Sequence, residues 1–142
     1  VPESVQAAVH RTGWMPQDEL ASVLAAAGAM VFIPWFEGFG IPLLEAFSAG
    51  TPAIHSNRTS LPEVAAGAGL EVDPARPEDV VAAMHRMEQE PALRASLIER
   101  GRERADDFSW DRTARLLWQC LVKAGRDVGV ELEDDPRKRP SA

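Results

Sequence analysis

The chain has 142 residues, 45% of them apolar and 26% charged, which is the balance of one soluble globular domain able to bury a core. A formal net charge of −7 excludes a general nucleic-acid or anionic-membrane surface, because both need clustered Lys and Arg, but it leaves room for one small anion held by backbone N–H groups. The single cysteine, Cys120, excludes an intrachain disulfide and a cysteine-based zinc site; its apolar helical surroundings read as those of a buried, inert thiol.

Val5–Thr12 reads as a strand. Leu20, Val23, Leu24 and Ala27 then fall at i, i+3, i+4 and i+7 on one helix face. Ala29–Pro34 is a short continuous apolar run, the pattern of a strand buried on both faces. The longest apolar stretch, Leu24–Pro34, contains Gly28 and is too short to span a bilayer. Pro42–Gly50 follows as a helix with Pro at its first position and Gly at its end. Thr51–His55 is a second buried strand, Leu61–Ala66 a short helix and Leu70–Asp73 a short strand. Helices over Glu78–Glu88 and Pro91–Ala105 come next, and a last one over Ser109–Ala124 places Trp110, Ala114, Leu117 and Leu121 on one face. This alternation predicts an α/β fold, a parallel sheet flanked by helices with right-handed crossovers. The segment 126–142 is charged; from Glu131 onward it mixes acids, prolines and Arg137-Lys138-Arg139 with no apolar face, and is expected to be a disordered tail. No basic-then-apolar leader opens the chain and no Met starts it, so it reads as part of a longer, cytoplasmic protein.

In open parallel sheets ligands sit beyond the carboxyl ends of the strands. The loop after Ala29–Pro34 is Trp35-Phe36-Glu37-Gly38-Phe39-Gly40-Ile41-Pro42-Leu43-Leu44-Glu45. Its glycines let backbone approach a ligand closely. The N–H groups of Ile41, Leu43 and Leu44 are expected to point unpartnered out of the helix start, a ready site for phosphate. Glu37 precedes the helix and Glu45 lies about one turn inside it. One carboxylate can face a sugar and the other can reach a ribose, since carboxylates accept from vicinal hydroxyls. The residues alone leave this reading open beside a plainer one, in which both are solvated charges at a helix start.

The string Glu37-Gly-Phe-Gly-Ile-Pro-Leu-Leu-Glu45 resembles the Glu-x7-Glu motif of the large retaining family of two-domain GT-B glycosyltransferases, the group 1 type. Glu45-Ala46-Phe47-Ser48-Ala49-Gly50-Thr51-Pro52-Ala53-Ile54, the Ser60–Val64 element and Phe108-Ser109-Trp110 continue the likeness in order, and it spans about Gly13 to Leu121. Ile33-Pro34 and Phe36 depart from the family's common residues there, whereas the glycine loop and both carboxylates are kept.

The resemblance implies the later portion of a Rossmann-like, C-terminal donor-binding domain, here residues 1–125. It implies transfer of a hexose from a nucleotide diphosphate sugar to an acceptor hydroxyl with retained configuration. Glu37 would be catalytic, orienting the donor sugar and steadying developing positive charge. Gly38, Phe39, Gly40, Ile41, Leu43 and Leu44 would line the donor's sugar and phosphates, and Glu45 would bind the ribose. Trp14 and Met15 would lie on the nucleobase side, with simple core packing the alternative. No metal or other cofactor is implied. The acceptor, a glycan, lipid or small molecule, would bind a preceding domain, and the complete enzyme would be cytoplasmic or peripheral at the inner membrane face. The isolated chain is expected to be inactive, with an incomplete sheet edge open to self-association. Two other readings are a non-catalytic sugar-nucleotide-binding or complementing module, and another GT-B-like enzyme such as a phosphorylase or epimerase. Arg58 and Arg11 are the nearest cations and read as solvated; Ser60-Leu61-Pro62-Glu63 matches a capping box, and His55 a packing histidine.

Overall fold

The computed structural model describes residues 2–130 and 132. Helices α1 (Glu3–Gln6) and α2 (Gln17–Ala26) come first. The strands β1 (Met30–Phe32), β2 (Ala53–Ser56) and β3 (Leu70–Val72) then alternate with α3 (Ile41–Ser48), α4 (Leu61–Ala65) and α5 (Pro77–Gln89), before α6 (Pro91–Asp106) and α7 (Trp110–Asp127). The strands form one parallel sheet in the order β1-β2-β3, with Met30 opposite Ala53 and Ile54 opposite Leu70. Parallel neighbours cannot be joined by a tight hairpin, and α3 and α4 are the crossovers that join them. The expected α/β architecture is the one observed.

Two units divide the chain, Val1–Ala105 and Asp106–Ala142. In the first, all four β2 residues are buried, as a central strand covered on both faces must be. Ile54 packs with Val72, Ala83, Met87 and Leu97, which ties β2 and β3 to α5 and α6. Leu43, Ala46 and Phe47 of α3 and Leu61, Val64 and Ala65 of α4 are also buried. Each large side chain among these contributes about 1.5–3 kcal/mol by leaving water. Gly101 lets α6 approach Phe47 so closely that an added Cβ would stand 2.9 Å from the ring. Arg104 of α6 donates to the carbonyls of Glu63 and Val64, at 3.0 and 2.9 Å, and so satisfies the carbonyl end of α4.

Several expectations are corrected. Val5–Thr12 is not a strand: the short α1 and irregular chain occupy that stretch, where Gln6, Ala7 and Ala8 favour helix over strand. Strand β1 is not buried on both faces, since Val31 is 41% exposed and, among the described residues, β1 pairs with β2 alone. Helix α2 buries none of its residues.

In the second unit, Ser109 caps α7 by accepting from the Arg112 N–H at 3.1 Å. The helix ends in a Schellman motif, with Val130 and Gly129 donating to the carbonyls of Gly125 and Arg126 and Gly129 at φ +74°. Trp110, Leu117 and Leu121 are exposed rather than buried, and Val122 and Gly125 are the covered residues. Periodicity defines a face but not what covers it. Cys120, expected to be buried, is exposed for the same reason: the apolar pattern around it is itself exposed. The expected tail from Glu131 lies outside the described residues apart from Leu132.

His55 is the buried titratable group of β2. Its Nδ1 lies 3.0 Å from the Ser56 carbonyl, and its Nε2 is buried without a partner among the described residues. Gly69 leaves room for the ring, since a Cβ there would meet His55 Cδ2 at 2.6 Å. His55 is packed as expected, but it is not the fully satisfied histidine expected, since Nε2 has no partner. Burial pushes its pKa below the usual 6.5, against weaker opposing effects of the Ser56 carbonyl and the Glu71 charge. The unfolded chain therefore binds more protons than the native one in that range. Stability is complete above the ordinary histidine pKa and is lost as pH falls through it toward the lower native value. Urea unfolding at about pH 7.5 and about pH 5.5 should show this loss, and His55→Gln should make the dependence shallower. Parallel profiles for parent and variant would remove His55 as the source.

Candidate functional site

The site is built where β1 turns into α3. Gly40 is the N-cap residue of α3, at φ +112° and ψ +37°, a conformation open to glycine and strained for any other residue. It is also buried against α4, and an added Cβ would stand 2.8 Å from Leu61 Cδ2. Pro42 is therefore the second helical residue, one place later than expected. Its fixed φ and missing N–H suit the first turn all the same.

The amide supply differs from the sequence-based expectation. Leu43 and Leu44 both donate to the Gly40 carbonyl, at 3.0 and 3.3 Å: with Gly40 as N-cap its carbonyl takes the first α-helical bond from Leu44 and a tighter i→i−3 bond from Leu43. The Leu43 side chain is fully buried in the core. The Phe39 N–H donates to Glu37 Oε1 at 3.2 Å. Among the described residues, the N–H groups of Gly38, Gly40 and Ile41 have no protein acceptor. These three amides, at the positive end of an eight-residue helix without a side-chain cap, can take an anion.

Both carboxylates are half-buried. Glu45 Oε1 accepts from Gln17 Nε2 at 3.3 Å, which brings the start of α2 to the first turns of α3. Glu37 is held through its backbone. Its N–H donates to Thr59 Oγ1 at 3.1 Å, and its carbonyl accepts from Ser60 Oγ at 3.1 Å. Ser60 is thus engaged with Glu37 and makes no cap to α4, so the expected capping box is absent. Gln17 and Thr59 are contacts that the sequence did not single out, and Ser60 was singled out only as a cap. Bonds between segments 22 to 28 residues apart leave no local signal.

Trp14, 89% exposed, and the half-buried Met15 precede Gln17 on the Glu45 side of the site. Trp35, Phe36, Phe39 and Ile41 are exposed apolar side chains around the glycine loop, an uncovered patch beside a polar centre. Arg58 is not a free cation: its guanidinium lies 2.7 Å from Asp73. The Asp73 carboxyl is held below its usual range first by the Ala75 N–H and then by Arg58. Arg11 is exposed. Among the described residues no three His, Cys, Asp or Glu side chains converge as metal ligands, and no helix is long and apolar enough to cross a membrane.

Residues 3–104 match the family model of glycosyl transferases group 1. The chain belongs to that family. The Glu-x7-Glu resemblance is therefore correct at the level of family and fold. Over 103 residues the chain is 40% identical to the O-antigen chain mannosyltransferase B of Escherichia coli, covering 72% of this chain and 27% of that protein. Over 120 residues it is 34% identical to the MMP alpha-(1->4)-mannosyltransferase of Mycolicibacterium hassiacum, covering 82% of this chain and 29% of that one. The sucrose-phosphate synthase from Thermosynechococcus elongatus superposes with a TM-score of 0.76 at 27% identity, over 87% of this chain and 32% of that one. This group 1 chain thus spans under a third of the length of these relatives.

Gly40 and Gly38 should respond differently to alanine. Gly40→Ala meets both a strained φ and the Leu61 contact, and should lose about 1–3 kcal/mol of stability. Gly38→Ala enters open space and should leave denaturant unfolding near the parent. Equal effects of the two substitutions would contradict the geometry of the α3 start.

Proposed function

We propose that this chain supplies the donor side of a retaining hexosyltransferase, which moves a sugar from a nucleoside diphosphate to an acceptor hydroxyl. One observation carries the reading: half-buried glutamates stand before and after a glycine-capped helix start whose Gly38, Gly40 and Ile41 amides have no acceptor among the described residues. A nucleoside diphosphate sugar offers matching groups in the same order, with sugar hydroxyls, diphosphate oxygens and ribose hydroxyls.

In this reading the Gly40 and Ile41 amides and the helix dipole hold donor oxygens and favour the departing diphosphate. Glu37 orients sugar hydroxyls and stabilises the positive charge that grows on the sugar as the glycosidic bond breaks. Its carboxylate now rests on the Phe39 N–H, and donor hydroxyls and that amide compete for it. Glu45 accepts from the ribose, with Gln17 fixing one of its oxygens. Trp14 and Met15 flank the nucleobase. The acceptor, a glycan, lipid or small molecule, approaches from a part of the protein outside this chain. Two of the relatives are named for mannosyl transfer, which makes a mannosyl donor the first to assay.

The two glutamates should separate kinetically in the full-length protein. Glu45→Gln removes a charged acceptor used in ground and transition states alike, so donor KM should rise more than kcat falls. A hydrogen bond to a charged group contributes about 1.5–3 kcal/mol, so the rise should be about ten-fold or more. Glu37→Gln acts where charge develops and should lower kcat by ~10²-fold with donor KM little changed. Parental kcat and KM in both variants would reduce the pair to surface charges.

The proposed step uses no metal ion. Excess chelator should leave most of the transfer rate intact; complete loss restored by a divalent cation would overturn that part of the proposal.

A further inference from the structure

Two neighbouring residues break local rules, and both do so in contact with Glu37. Thr59 is β-branched yet sits at φ +52°, in the left-handed region where such a residue is a steric outlier. Ser60 occupies the N-cap position of α4, before Leu61 and Pro62, yet its hydroxyl caps nothing there. In return Thr59 Oγ1 takes the Glu37 N–H and Ser60 Oγ donates to the Glu37 carbonyl. The backbone of Glu37 is thus gripped on both sides by a segment 22 and 23 residues away in sequence. Strain of this kind persists where the surrounding structure fixes it, and it concentrates where geometry matters for function.

We infer that Thr59 and Ser60 are positioning residues for Glu37, acting through its backbone and not on the donor. This rests on the role proposed for Glu37 above. The Arg104 contacts to the Glu63 and Val64 carbonyls hold α4, and hence the start of the grip, in place.

Thr59→Gly relieves the positive φ but deletes the hydroxyl, so the thermal midpoint should stay level or rise while kcat falls by about ten-fold. Donor KM should move little, because the Gly38, Gly40 and Ile41 amides and Glu45 are untouched. Thr59→Ser keeps the hydroxyl and should restore kcat to within about two-fold of the parent. Ser60→Ala should lower kcat in the same sense as Thr59→Gly. All three variants are compared with Glu37→Gln in the full-length protein, with a nucleoside diphosphate mannose as the donor probe. If Glu37→Gln lowers kcat while Thr59→Gly and Ser60→Ala keep the parental rate, the positioning role is wrong and the Glu37 reading stands. If Glu37→Gln itself leaves kcat unchanged, the Glu37 reading fails and takes this inference with it. A fall in thermal midpoint that parallels the loss of kcat in Thr59→Gly would make Thr59 merely structural.

Discussion

The site depends on the contact between the start of α3 and the start of α4. Gly40 has no Cβ, and Leu61 fills the space one would take. That approach brings the two helix starts together. The loop before α4 reaches Glu37, so Thr59 and Ser60 can bond its backbone. Within α3 the Gly40 carbonyl takes the Leu43 and Leu44 amides, as an N-cap carbonyl does. Among the described residues, the amides of Gly38, Gly40 and Ile41 have no protein acceptor. An added Cβ at position 40 would stand 2.8 Å from Leu61 Cδ2 and strain the contact between the two helix starts.

The electrostatics of the loop follow from this arrangement. The chain carries a net charge of −7, and Arg58, the cation nearest the loop in sequence, is committed to Asp73. Within this chain, what the start of α3 offers an anion is backbone amides and the helix dipole. Such donors are fixed before the ligand arrives and need no reorganisation when charge develops.

Much of this was legible in the sequence, for identifiable reasons. Thr51–His55 and Leu70–Asp73 were readable as strands because each is a short apolar run beside turn residues, and they pair in one parallel sheet, β2 fully buried and β3 buried at Val72. The glycine loop was readable because two glycines and a proline sit where a strand must become a helix. The fine geometry was not. Whether Ser60 caps α4 or bonds Glu37 depends on what lies across from it, and a capping-box pattern holds no information about a segment 23 residues away. The partner of Gln17 is likewise 28 residues distant. The apolar face of α7 was found correctly as a face, but periodicity could not say that Trp110, Leu117 and Leu121 are exposed.

In the proposed site the amides of Gly38, Gly40 and Ile41 and the flanking carboxylates hold one donor molecule. A crystal structure of the full-length protein with a nucleoside diphosphate sugar bound tests it most directly. Diphosphate or sugar oxygens should then lie on the Gly40 and Ile41 amides, sugar hydroxyls on Glu37 and the ribose on Glu45. A nucleotide bound elsewhere, with the Glu37 carboxylate still resting on the Phe39 N–H and Glu45 still on Gln17, would contradict it.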